Sequence, residues 1–200
     1  MDKRERAEEN LAVIRSMMER ATVYRMISGP TALFAGLLTL AMVIFFPWDD
    51  VEDKYDWKWI WFAVAGITLL FNTALVVQKA KREGAAIFSP GLKMGFRAIL
   101  PAMIIGFVIG LMQFRAYDHV VLAWIWMLCY GAALTATGSF APRSMWWLGI
   151  IFIGTGLCFF RSYPSGLESV VKGNLMMAQT FGAYHLVYGL YVLLIEQKRD

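Results

Sequence analysis

The sequence predicts an all-α membrane protein, a bundle of six transmembrane helices with an N-terminal cytoplasmic amphipathic helix. Three observations predict it. First, 58% of the 200 residues are hydrophobic and the mean hydropathy is +0.53, whereas soluble domains hold about 45–50% apolar residues. Second, six stretches of at least 17 residues contain no Asp, Glu, Lys or Arg: 30–47, 59–78, 98–114, 120–138, 144–160 and 173–195. A helix of about 20 apolar residues crosses the hydrocarbon core. Third, with the N-terminus inside, 14 Lys and Arg fall in inner segments and 5 in outer ones. That bias puts both termini in the cytoplasm of a multi-pass protein of the cell (inner) membrane. The net charge of +4 is then a topological signature, and no nucleic-acid partner is implied.

The chain divides into an interfacial helix, 1–28, and a transmembrane domain, 29–200. The expected spans lie near 30–47, 57–78, 90–114, 120–138, 144–160 and 174–195. In the first segment Leu11, Ile14, Met18 and Ala21 repeat at helical spacing, with Arg4, Glu8, Arg15 and Glu19 on other faces. Such a helix lies in the interface with its arginines toward lipid phosphates. The same surface would also suit a cytoplasmic partner. Ser28 is placed to cap the first span and Pro30 is tolerated in its first turn. A charged N-terminal segment and no small-residue cleavage site make this an uncleaved span, not a signal peptide.

The outer loop "PWDDVEDKYDW" carries five acids against one lysine, with Lys58 just beyond it, and reads as solvated, or as a mouth that attracts cations or a basic partner. Trp48, Trp57, Trp59, Trp61, Trp124 and Trp126 fall toward the outer face, and Trp146 and Trp147 toward the inner. All eight fit an aromatic belt at the lipid headgroups. In the third span Gly91, Gly95, Ala98, Ala102, Gly106 and Gly110 line up at steps of four and three around a bend expected at Pro101. Helices in lipid associate by close backbone approach, so this stripe places the third helix at the centre of the bundle.

His185 lies mid-span in "FGAYHLVYGL". Gly182 and Gly189, at minus three and plus four, put it on a narrow helix-packing face beside Tyr184, Tyr188 and Tyr191. The plain reading is a neutral ring hydrogen-bonded to a tyrosine or hydroxyl, because a buried polar group needs a partner. Intramembrane ionisable groups also raise functional readings. His185 is therefore the candidate cofactor-binding residue, as a single axial ligand for haem or a pigment. His119 starts the fourth span, about 15 Å away in depth, so the two histidines do not sandwich one iron. Asn72, Thr68, Thr135, Tyr184, His185 and Tyr188 are candidates for lining a polar cavity for a neutral solute, and equally for interhelical hydrogen bonds. No metal site is expected, since Cys129 and Cys158 lack ligand spacing and there is no HExxH or Walker loop.

A nucleophile on the fourth span with a histidine on the sixth resembles the rhomboid intramembrane proteases. That family carries GxSG and AHxxG, whereas this chain has "TGSF" and "YHLVYGL". Ser139 falls at the inner end, about 14 Å in depth from His185. Cys129 lies nearer that depth, where an imidazole would activate a thiol, though a buried cysteine is more commonly apolar filler. No catalytic residue is expected. The stretches "YGAALTATGSFAPRSMWWLG" and "FGAYHLVYGL" make the chain similar to small uncharacterised bacterial six-helix integral membrane proteins. This resemblance implies fold and location and brings no activity. The sequence thus leads to a non-enzymatic structural or accessory subunit working through helix–helix, lipid or protein contacts. The alternatives are a small neutral-solute channel or carrier with His185 in its cavity, and a cofactor- or pigment-binding subunit.

Overall fold

The computed structural model describes residues 29–48, 54–82, 84, 90–112, 119–138, 141–161 and 168–196. The expected N-terminal helix, the acidic loop residues 49–53 and Ser139 lie outside them. Six helices follow one another: α1 (Gly29–Phe45), α2 (Lys54–Arg82), α3 (Pro90–Met112), α4 (His119–Thr137), α5 (Arg143–Arg161) and α6. The last runs without a break through an α-helical part (Ser169–Met177), a π-helical part (Ala178–Tyr184) and a second α-helical part (His185–Glu196). Four segments, Trp57–Arg82, Leu92–Met112, His119–Thr137 and Ser169–Ile195, are long and apolar enough to cross a membrane, while α1 and α5 are shorter apolar helices.

Local chemistry explains the helix ends. Pro30 and Pro90 sit in the first turns of α1 and α3, where a missing N–H costs no hydrogen bond. Lys79, Lys81 and Arg82 occupy the last turn of α2, facing the negative end of its dipole. Several threonine hydroxyls are satisfied on their own helix. Thr135, Thr137 and Thr180 donate to the carbonyls of Gly131, Ala133 and Met176 at 2.7–2.8 Å, as an apolar environment demands.

The tightest contacts are glycine-mediated. In α1, a Cβ on Gly36 would lie 2.8 Å from the Gly182 carbonyl oxygen, and in α6 one on Gly189 would lie 2.8 Å from the Leu33 nitrogen. Gly182 and Gly189 thus lie where helices meet closely, against α1. In the second such contact, a Cβ on Gly131 of α4 would lie 2.9 Å from the Gly149 carbonyl oxygen of α5. Gly131 and Gly149 were not singled out for packing from the sequence.

The small-residue stripe of α3 lies on one side only. Gly95, Gly106 and Gly110 are buried and Ala98 and Ala102 half-buried. A Cβ on Gly106 would come 3.1 Å from that of Cys129, and one on Gly110 would approach Trp126 and Phe62. Ile104, Ile105, Phe107 and Val108 are exposed. The central position expected for this helix is therefore corrected: α3 flanks α4, and α4 is the helix packed against α3, α5 and α6. A stripe one residue wide seats a single neighbour, whereas α4 buries Leu122, Ala123, Met127, Gly131, Ala133 and Leu134 over about half its circumference.

The aromatic-belt reading is also corrected in part. Trp59, Trp146 and Trp147 are exposed, but Trp57 and Trp61 are 0% and 2% exposed. Their rings stack inward, Trp61 on Trp48 at 5.9 Å and Trp57 on Trp126 at 5.8 Å between centroids. Trp57 pairs its indole N–H with Asn174 Oδ1, whereas the Trp61 N–H is buried without a hydrogen-bond partner among the described residues, so Trp61 is held by ring stacking.

Gly189→Ala is expected to destabilise the protein by about 1–3 kcal/mol, since backbone and not a side-chain tip must move. Gly66→Ala is expected to be neutral or better, because nothing lies within 4 Å of its Cβ position. Thermal unfolding in detergent checks both.

Candidate functional site

The π-helical part of α6 decides where His185 points. In an uninterrupted α-helix, Gly182, His185 and Gly189 would share a face. The π-helical part ends at Tyr184 and adds a residue to the helical turn, so it changes the angle between Gly182 and His185, while Gly189 keeps its α-helical offset from His185. The expected placement on the glycine face is corrected accordingly: the glycines meet α1, and His185 meets Tyr130 of α4 and Phe152 of α5.

His185 is 6% exposed and engaged through both ring nitrogens. Nδ1 lies 3.4 Å from the Thr180 carbonyl oxygen and Nε2 lies 2.8 Å from the Tyr130 hydroxyl. A carbonyl only accepts, so Nδ1 carries the proton and donates to it. In that neutral tautomer Nε2 is the acceptor, and Tyr130 donates its hydroxyl. The ring is enclosed by Tyr130, Phe152 and Phe181 at centroid distances of 5.4, 5.6 and 6.0 Å. Tyr184 packs on the other side of Phe152, its hydroxyl 2.9 Å from Thr155 Oγ1 and accepting from Gln179 Nε2 at 3.1 Å.

The residues expected to line one cavity are divided among several helix contacts. Tyr184 and His185 come together around Phe152, and Tyr188 is buried on the following turn. Asn72 is engaged elsewhere, where its side-chain oxygen accepts from the Thr31 hydroxyl at 3.0 Å across α1 and α2. Thr68 is half-buried on α2, and Thr135 turns its hydroxyl onto its own helix. Cys129 faces Gly106 of α3, while its neighbour Tyr130 faces His185. The thiol and imidazole therefore occupy different sides of α4. Among the described residues no three His, Cys, Asp or Glu side chains converge to hold a metal ion.

A second polar cluster ties the helix starts together. Trp57 donates its indole N–H to Asn174 Oδ1 at 2.7 Å. His119 Nδ1 is 3.0 Å from Ser169 Oγ, and its ring stands edge-on to Trp57 at 5.3 Å. Trp126 donates to the Gly106 carbonyl at 3.1 Å and Trp124 to that of Gly156 at 2.8 Å. Lys58 is buried in the same region with its ammonium 5.6 Å from the Trp59 ring centroid, within reach of a cation–π attraction. Tyr130 lies eleven residues after His119 on α4, about 16 Å along the axis. The two histidines thus belong to separate clusters.

Sequence reasoning did not single out Tyr130, Thr180, Phe152 and Phe181 around His185, nor the Trp57–Asn174 bond. One signal pointed to Tyr130: the depth that sets Cys129 level with His185 sets Tyr130 there too. No protein-family model, curated protein or solved structure matches the chain.

Tyr130→Phe and His185→Phe each leave a buried polar group unpaired, so each is expected to cost about 1–3 kcal/mol. The double variant is expected to lose clearly less than the sum. Denaturant or thermal unfolding of the three variants measures the coupling, and strict additivity would refute a bonded pair.

Proposed function

We propose that the chain is a six-span inner-membrane protein with both termini cytoplasmic, acting without catalysis as a structural or accessory subunit. One observation carries this reading. His185, the ionisable group in the middle of the sixth helix, spends both ring nitrogens on protein partners inside an aromatic shell. A histidine that ligates an iron or a metal needs a ring nitrogen free of protein partners. Here Nε2 joins α6 to Tyr130 of α4, and Nδ1 is held by the Thr180 carbonyl of α6 itself.

The remaining polar side chains support the same reading. Asn72, Tyr184, Trp57 and Asn174 pair across helix contacts, as polar groups do when they hold a bundle together in lipid. The short helices α1 and α5 complete the six spans, a small mismatch that local thinning of the bilayer absorbs. The basic residues concentrated after α2 and around the start of α3 set the orientation.

Two experiments test this. A reporter active only in the cytoplasm, fused after residue 200, is expected to be active, and the same reporter inserted at residues 115–117 inactive. Native mass spectrometry of the protein extracted gently from its own membrane is expected to show added mass from other protein chains. Added mass of a cofactor, or solute flux through the purified protein in vesicles, would overturn the accessory-subunit reading.

A further inference from the structure

We infer that the faces of α2 and α3 form a slot for one anionic phospholipid of the cytoplasmic leaflet, its headgroup held by Lys93 and Arg97, with Lys79 and Lys81 flanking it at the same depth. The inference rests on the orientation proposed above and adds a lipid class and a place.

The geometry starts from one contact. Phe62, near the start of α2, meets Phe107, near the end of α3, at 5.2 Å between centroids, and a Cβ on Gly110 would touch the Phe62 ring. Only seven residues separate the end of α2 at Arg82 from the start of α3 at Pro90, so with this contact at their other ends the two helices run antiparallel. Lys79 lies 17 residues beyond Phe62 and Lys93 lies 17 residues before Gly110, each about 26 Å along its axis. The cationic end of α2 and the cationic start of α3 thus reach the same depth, roughly one hydrocarbon thickness from the aromatic contact.

Between these levels the helices present unpartnered faces. On α3, Phe107, Met103, Leu100, Phe96 and Lys93 follow at steps of four and three, and the side chains below the Phe62 contact are exposed. On α2, Gly66, Leu69 and Thr73 continue the Phe62 face and are exposed, with nothing within 4 Å of a Cβ at Gly66. The aromatic contact closes the slot at one end. The width left by Gly66 and the apolar line of Leu100 and Met103 suit acyl chains.

Charge selects the headgroup. Lys79, Lys81, Arg82, Lys93 and Arg97 are all exposed, and between residues 79 and 97 the sequence places one acid, Glu83, against these five bases. Basic clusters beside a cytoplasmic membrane face attract anionic lipids. The chain's own residues 1–28 fit less well, since their six Lys and Arg outnumber five acids.

The test is native mass spectrometry of the full-length protein in mild detergent, titrated with phosphatidylglycerol or phosphatidylcholine of matched chains. The wild type is expected to retain one phosphatidylglycerol in preference to phosphatidylcholine. Lys93→Gln with Arg97→Gln is expected to weaken that binding about thirtyfold, roughly fivefold per charge. Lys93→Arg with Arg97→Lys should keep it, and Gly66→Leu should weaken both lipids by filling the slot. Equal retention of the two lipids, an unchanged glutamine variant, displacement by inorganic phosphate alone, or a dimer mass in place of lipid would each overturn the slot. A carbonate wash of the same membranes separates the two claims. Release of the wild type into the wash sinks the membrane-spanning reading, whereas a retained protein without lipid preference sinks only the slot.

Discussion

Close backbone approach at two glycine contacts sets the spacing on which the rest of this bundle depends. Gly36 and Gly189 let α1 lie against α6, and Gly131 with Gly149 lets α4 lie against α5. In lipid, apolar side chains gain nothing from leaving one another for the solvent, so dispersion and interhelical hydrogen bonds must hold the helices. Both fall off steeply with distance. The Tyr130–His185 bond at 2.8 Å exists because α4 and α6 are brought within reach, and its aromatic shell is drawn from the same helices.

The π-helical part of α6 belongs to this economy of contacts. It turns Gly182 toward α1 while aiming His185 at α4, which a regular helix would do less completely. The Thr180 carbonyl accepts from the His185 ring, so the change in backbone pitch and the buried ring support each other.

The uncharged stretches, legible as runs of apolar residues, each overlap a helix, because backbone satisfaction in an apolar environment leaves few alternatives. Interior geometry was less legible. Trp57 and Trp61 read like interfacial tryptophans, and only the course of the neighbouring helices shows that Trp48 and Trp126 cover them. The stripe on α3 announced a close neighbour without saying how many. For His185, the need for a hydroxyl partner followed from its chemistry. The identity of that partner depended on a π-turn whose hydrogen-bond register no residue spacing records.

The Trp57–Asn174 bond joins residues 117 positions apart, and α1 finds its main protein partner in α6. The α1 helix therefore waits for α6 before it has a seat. Until some 140 further residues have been made, α1 and α2 must be sheltered by lipid or by the insertion machinery, with Asn72 and Thr31 as their early mutual contact. Loss of α6 would therefore strand α1 as well, although the two lie far apart in sequence.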